Sequence, residues 1–197
     1  CGNFLVITCR ERRLLELGVL RAAYADGQQM LDIHQLVAVD VDQFHGIEIE
    51  EFPAQIAQVA LWLVEHQMDL KVSEEFGAYF VRIPLKHSAT IVHGNALRIE
   101  WNDVLPAERC SYVLGNPPFV GHQWRSEAQM ADMDHVWGTD GRYGRLDFVT
   151  CWYRKATDYM QGNESMLAAL VSTNSICQGE QVGTLWGWML GQGAKIH

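Results

Sequence analysis

The chain has 197 residues, 48% hydrophobic and 20% charged, the balance of a globular domain large enough to bury a core. A net charge of −9 argues against a surface that grips a polyanion unaided, since phosphate binding needs clustered Lys and Arg. No apolar run reaches the roughly 18–20 residues of a bilayer span, and Arg10, Glu11, Arg12 and Arg13 interrupt any leader-like stretch. The five cysteines (Cys1, Cys9, Cys110, Cys151 and Cys177) lack CxxC spacing and read as reduced thiols of a cytoplasmic protein. The eight histidines are scattered, without the spacing of metal ligands.

In chain order, Phe4, Ile7, Leu14, Leu15, Leu17 and Leu20 with arginines between them predict an amphipathic helix from Asn3 to about Ala25, stopped by Asp26-Gly27. Residues 28–43 read as a connector. Phe44–Ile49 predicts a strand buried on both faces. Pro53 suits the first turn of a helix reaching about Gln67, with Ile56, Val59, Ala60 and Leu63 inward. Residues 70–85 give no clear pattern. Thr90-Ile91-Val92, closed by Gly94, and Tyr112–Leu114 predict two further buried strands. Helices follow over Glu127–Val136 and Phe148–Met160, separated by the glycine-rich stretch Gly138–Gly144, which reads as a mobile loop. Leu167–Ser172 predicts the last strand and Gln181–Leu190 a final helix. Strands alternating with helices make this an α/β chain, with a mostly parallel sheet covered on both faces.

Asn116-Pro117-Pro118-Phe119 carries the chemistry. It follows the apolar run Ser111–Gly115, a strand entering a tight loop. Two prolines lock φ and remove two N–H groups, so the loop is stiff. It offers neutral hydrogen-bond acceptors beside an aromatic face, which suits a planar group bearing an NH2.

Asn-Pro-Pro-Phe after an apolar strand resembles the catalytic motif of S-adenosylmethionine-dependent amino-methyltransferases, chiefly bacterial DNA adenine-N6 enzymes. The likeness covers nearly the whole chain. Cys1–Leu5 resembles the tail of that family's Asp-Pro-Ala-Cys-Gly-x-Gly-Asn-Phe-Leu loop. Phe44–Glu50 resembles its second strand, and Ile56–Trp62 the helix after it. His93–Leu97 resembles the loop after the third strand. Leu146–Val149 and Trp152–Ala156 resemble the helix after the catalytic loop, and Leu170–Ser175 the fifth strand and its turn. The order and spacing are most similar to single-chain type II restriction–modification enzymes.

The resemblance implies a Rossmann-like class I methyltransferase fold that here lacks its first strand and its last two. Residues 1–197 would be a partial catalytic domain, with a cofactor half of about 1–100 and a catalytic half of about 101–197. It implies S-adenosylmethionine held by Gly2, Asn3, Phe4, Glu48, Ile49, Asn95 and Ala96. Glu48, rather than Glu50, aligns with the family's Gly-x-Glu pattern and would accept bonds from the ribose hydroxyls. Asn95 stands where the family more often has Asp. Asn116 and the Pro117 carbonyl would accept the two N–H bonds of the target amine; Pro118 stiffens the loop and Phe119 stacks on the flipped base. No metal is implied.

The partner would be double-stranded DNA, read by a specificity region outside this chain, in a bacterial cytoplasm. Arg125, Arg142, Arg145 and Arg154 form the one basic cluster near the loop. A protein glutamine amide or an RNA amino group fits the same loop chemistry. A truncated chain without activity, or a subunit completed by a partner, is the third reading; unpaired strand edges would then favour self-association.

Overall fold

The computed structural model describes residues 2–24, 36–77, 80, 88–139 and 143–196. The chain divides into two compact units, Cys1–Gly94 and Asn95–His197. The first contains α1 (Gly2–Ala23), β1 (His45–Glu48), α2 (Glu51–Phe76) and β2 (Thr90–His93). The second contains α3 (Trp101–Val104), β3 (Tyr112–Gly115), α4 (Glu127–Trp137), α5 (Thr150–Met160), β4 (Leu167–Leu170) and α6 (Gly187–Gly191). The predicted Asp26-Gly27 stop, Cys1 and Arg142 lie outside the described residues.

Each unit holds one parallel strand pair. β1 runs beside β2 with Gly46 opposite Ile91 and Glu48 opposite His93. β3 runs beside β4 with Tyr112 opposite Leu167 and Gly115 opposite Leu170. Parallel neighbours need a crossover; α2 provides it in the first unit, and α4 and α5 in the second.

In the first unit, Cys9, Val41, Phe44, Ala57, Leu61 and Ile91 share one core. The α2 helix reverses the predicted face. Ile56, Val59 and Leu63 are 50%, 56% and 45% exposed, while Ala54, Ala57, Leu61, Glu65, Met68, Asp69 and Val72 point inward. Small residues explain the choice. A Cβ built on Gly2 would lie 2.9 Å from the Ala57 Cβ, so the start of α1 approaches α2 closely there only because glycine and alanine face each other. Glu65 and Asp69 tolerate burial because each is met by a donor: the Val41 N–H at 3.3 Å and Arg13 at 2.7 Å. The helix also runs past Gln67 to Phe76, where Gly77, at φ 66°, closes it with its N–H on the Ser73 carbonyl. On α1, Leu17 and Leu20 are buried as expected, but Phe4, Ile7 and Leu15 are exposed and Arg13 is buried.

In the second unit, α5 covers one face of the strand pair, packing Tyr159 with Cys110, Met166 and Val113. The other face, with Tyr112, Leu114 and Leu167, is exposed, so β3 is not the doubly buried strand that its apolar run suggests. A second core gathers Leu97, Trp137, Leu146, Phe148 and Leu185. The predicted last helix begins as a π-helical turn, Val182–Trp186, before continuing as α6. No helix among the described residues is long and apolar enough to cross a membrane.

Candidate active site

β3 ends at Gly115, whose carbonyl accepts the Val171 N–H at 2.9 Å. A Cβ on Gly115 would sit 3.1 Å from Leu170 Cδ2, a tight approach where the strand gives way to the loop. Five residues later the Val120 carbonyl accepts the Phe148 N–H at 2.9 Å. The Asn116–Phe119 segment is thus pinned at both ends. Among the described residues every peptide is trans, so the prolines stiffen the loop without an unusual bond. Pro117 is buried and anchors the loop, while Asn116 is exposed and Phe119 is 47% exposed. The Asn116 carboxamide makes no hydrogen bond among the described residues and remains available to a ligand. Lacking N–H groups at Pro117 and Pro118, the loop presents acceptors: the Asn116 oxygen and backbone carbonyls.

Below the loop, the Tyr153 hydroxyl donates to the Leu170 carbonyl at 3.2 Å and lies 3.1 Å from Ser172 Oγ. This fastens the end of β4 to α5. Asn95 is equally well fixed: its Oδ1 accepts the Leu97 N–H at 2.9 Å, and its Nδ2 donates to Asp132 Oδ2 at 2.8 Å. One lone pair of that oxygen remains for a ligand. The Ala96 carbonyl accepts the Trp101 indole N–H at 2.9 Å. Sequence reasoning missed Asp132 and Tyr153 because their partners are distant along the chain; Tyr153 drew notice only as part of a helix.

In the first unit, Gly2, Asn3 and Phe4 form the first turn of α1. Glu48 closes β1, its carbonyl accepting the Gly94 N–H at 2.8 Å and its carboxylate accepting the Ile49 N–H at 3.0 Å. Partial burial alone would raise its pKa. The Ile49 and Glu50 N–H groups act the other way, since their hydrogen bonds favour the ionised carboxylate. Ile49 is 60% exposed, a free apolar face next to this carboxylate. Glu50 is exposed and caps α2 by position only, with no side-chain bond.

The basic cluster is largely spoken for. Arg154 pairs with Asp158 at 2.8 Å and lies 4.0 Å over the Trp188 ring. Arg145 pairs with Glu180 at 2.7 Å, and Arg125 donates to the His122 and Gly144 carbonyls. No group of three potential metal ligands occurs among the described residues.

Comparison with known proteins places the chain in a family. DNA methyltransferase A of Bacillus subtilis (strain 168) is 35% identical over 200 residues, covering 100% of this chain and 22% of that protein. The structure of the type IIL restriction-modification enzyme MmeI in complex with DNA is 58% identical, with a TM-score of 0.90, covering 98% of this chain and 26% of that one. The chain therefore spans about a quarter of the length of these relatives. The family model for the MmeI DNA-methyltransferase domain matches residues 1–197, and the chain belongs to that family.

Proposed function

We propose that these residues carry out methyl transfer in a restriction–modification enzyme, from S-adenosylmethionine to the exocyclic N6 of adenine in DNA. The observation that carries this reading is the pinned Asn116–Phe119 loop, with its acceptors and its exposed ring at the end of a parallel strand. Parallel pairs with helical crossovers support the Rossmann-like class I methyltransferase fold, in which ligands gather at the carboxyl ends of strands.

An adenine amine is a weak nucleophile because its lone pair is delocalised into the ring. The Asn116 oxygen and the Pro117 carbonyl accept its two N–H bonds and hold the lone pair towards the methyl donor. Fixed acceptors of this kind act by positioning and preorganised dipoles. Phe119 stacks on the extruded base and offsets roughly 1–3 kcal/mol of the few kcal/mol that extrusion costs.

The residues at the β1 end suit the cofactor: a carboxylate for paired hydroxyls at Glu48 and an open apolar side chain at Ile49 for a flat ring. Gly2, Asn3 and Phe4 would meet the methionine portion, and Asn95 and Ala96 the adenine end. When bound, S-adenosylmethionine supplies a methyl group made electrophilic by its positively charged sulfur. The described cations near the loop already have protein partners, which supports a reading in which DNA is gripped by other parts of the protein.

The test is transfer of labelled methyl groups to DNA by the full-length protein, with nucleoside mass spectrometry as the readout. N6-methyladenine is expected, and Asn116→Ala should lose it. N4-methylcytosine would overturn the adenine assignment. Label in protein or RNA but not in DNA would overturn the substrate.

A further inference from the structure

Residues 147 and 148 form a hub beside the catalytic loop. The Phe148 N–H holds the Val120 carbonyl, and the Asp147 N–H donates to Gln181 Oε1 at 3.0 Å. Asp147 is only 8% exposed as a residue, between the buried Leu146 and Phe148. Its Oδ2 accepts the Ser175 hydroxyl at 2.5 Å, and Ser175 Oγ lies 2.6 Å from Thr173 Oγ1 in the turn after β4. A Cβ built on Gly121 would lie 3.7 Å from Asp147 Oδ1, so the second oxygen faces the chain two residues beyond Phe119 across a space of about one methyl group.

A buried carboxylate is costly, and an apolar residue would serve a core better if stability alone were at stake. We propose, resting on the methyltransferase reading above, that Asp147 is a positioning residue: it locks the exit of the Asn116–Phe119 loop to the turn after β4. Its bond to Ser175, next to the Phe148–Val120 backbone bond, joins two segments that flank the reacting groups. Misplacement of such groups by about 1 Å costs up to about 100-fold in rate.

The test uses the full-length protein, with methyl transfer to DNA and fluorescence of 2-aminopurine placed at the target base. Asp147→Ala should lower kcat about 10- to 100-fold while the KM for S-adenosylmethionine moves less than about threefold. Asp147→Asn keeps the shape and an acceptor for Ser175, and should restore kcat to within about threefold of the parent. Ser175→Ala should lower kcat in the same direction, and the double variant Asp147→Ala/Ser175→Ala should be no worse than Asp147→Ala. If Asp147→Ala does not fold, Ser175→Ala decides the matter alone, and parental kcat in that variant overturns the proposal. Parental kcat in Asp147→Ala overturns it, as does a loss that tracks thermal stability and is not rescued by Asn. A parent protein that methylates no DNA, or an Asn116→Ala variant that still does, overturns the functional reading and this proposal together. An active parent and an inactive Asn116→Ala beside a fully active Asp147→Ala overturn this proposal only.

Discussion

Arg13 on α1 and Asp69 on α2 meet at 2.7 Å with both side chains almost completely buried, 56 residues apart in sequence. Arg13 also donates to the Val39 carbonyl at 2.9 Å, tying the segment before β1 to both helices. Removing one partner of such a pair strands the other charge in the core. Arg13→Met should therefore destabilise the fold by about 3–5 kcal/mol, whereas Arg13→Met with Asp69→Leu should recover most of that loss. Urea unfolding of both variants measures the difference. A single variant as stable as the parent would show that the pair contributes nothing.

Gly162 follows α5, and a Cβ there would lie 2.6 Å from the Ala107 Cβ. Neither backbone can yield without moving α5 or the turn at Ala107–Arg109. Gly162→Ala should cost about 1–3 kcal/mol through overpacking. Calorimetry reads it as a lower Tm, and the further change Ala107→Gly should restore the Tm.

Glu48 and Glu50 make a direct comparison. Glu48→Gln should weaken S-adenosylmethionine binding by roughly 1–3 kcal/mol, the loss expected when a charged acceptor of hydroxyl bonds is neutralised. The exposed Glu50, changed in the same way, should bind the cofactor as before. Isothermal titration separates the two, and the reverse outcome would move the ribose site past the end of β1.

Phe119→Ala should weaken extrusion of the target base by roughly 1–3 kcal/mol, seen as reduced 2-aminopurine fluorescence at unchanged cofactor affinity. Phe119→Trp should retain the signal. An undiminished signal in Phe119→Ala would remove the ring from base stacking.

The thiols give a pH signature. Burial, reinforced by the negative charge of Asp132, pushes the Cys151 thiol up to about 12 from an ordinary 9.0. Below pH 9 both folded and unfolded chains keep this thiol neutral. Between about 9 and about 12 only the unfolded chain ionises, so stability falls as pH rises through that window. Burial also raises Cys110 and Tyr159, in the same direction. Urea midpoints should decline above pH 9, and the decline should be shallower in Cys151→Ala. Near neutral pH a thiol reagent should modify the exposed Cys177 while sparing the buried Cys9, Cys110 and Cys151.

What was legible in the sequence was whatever depends on neighbours in the chain. The loop at Asn116 announces itself because two prolines dictate backbone shape locally, and β2 because Thr90-Ile91-Val92 precedes a glycine. The inward face of α2 was not legible. Ile56, Val59 and Leu63 are its most apolar stripe, yet the core takes Ala54 and Ala57 for close approach and Asp69 for a partner on another helix. The same holds at the site: Glu48 follows from a strand ending, whereas Asp132 gains its meaning from Asn95, 37 positions away. The π-helical turn at Val182–Trp186 has no local marker, and its Leu185 is set by tertiary packing.

The two missing N–H groups at Pro117 and Pro118 have one more consequence. At the Pro117-Pro118 step the backbone can only accept hydrogen bonds, so the carbonyls there distinguish a base by its donors. Adenine that has lost its amino group to deamination carries an oxygen at that position, and it would set acceptor against acceptor. Sites built round a substrate N–H reject analogues lacking it by roughly 10⁴-fold or more. On the proposed reading, the loop passes over damaged adenines and leaves a deaminated target unmarked.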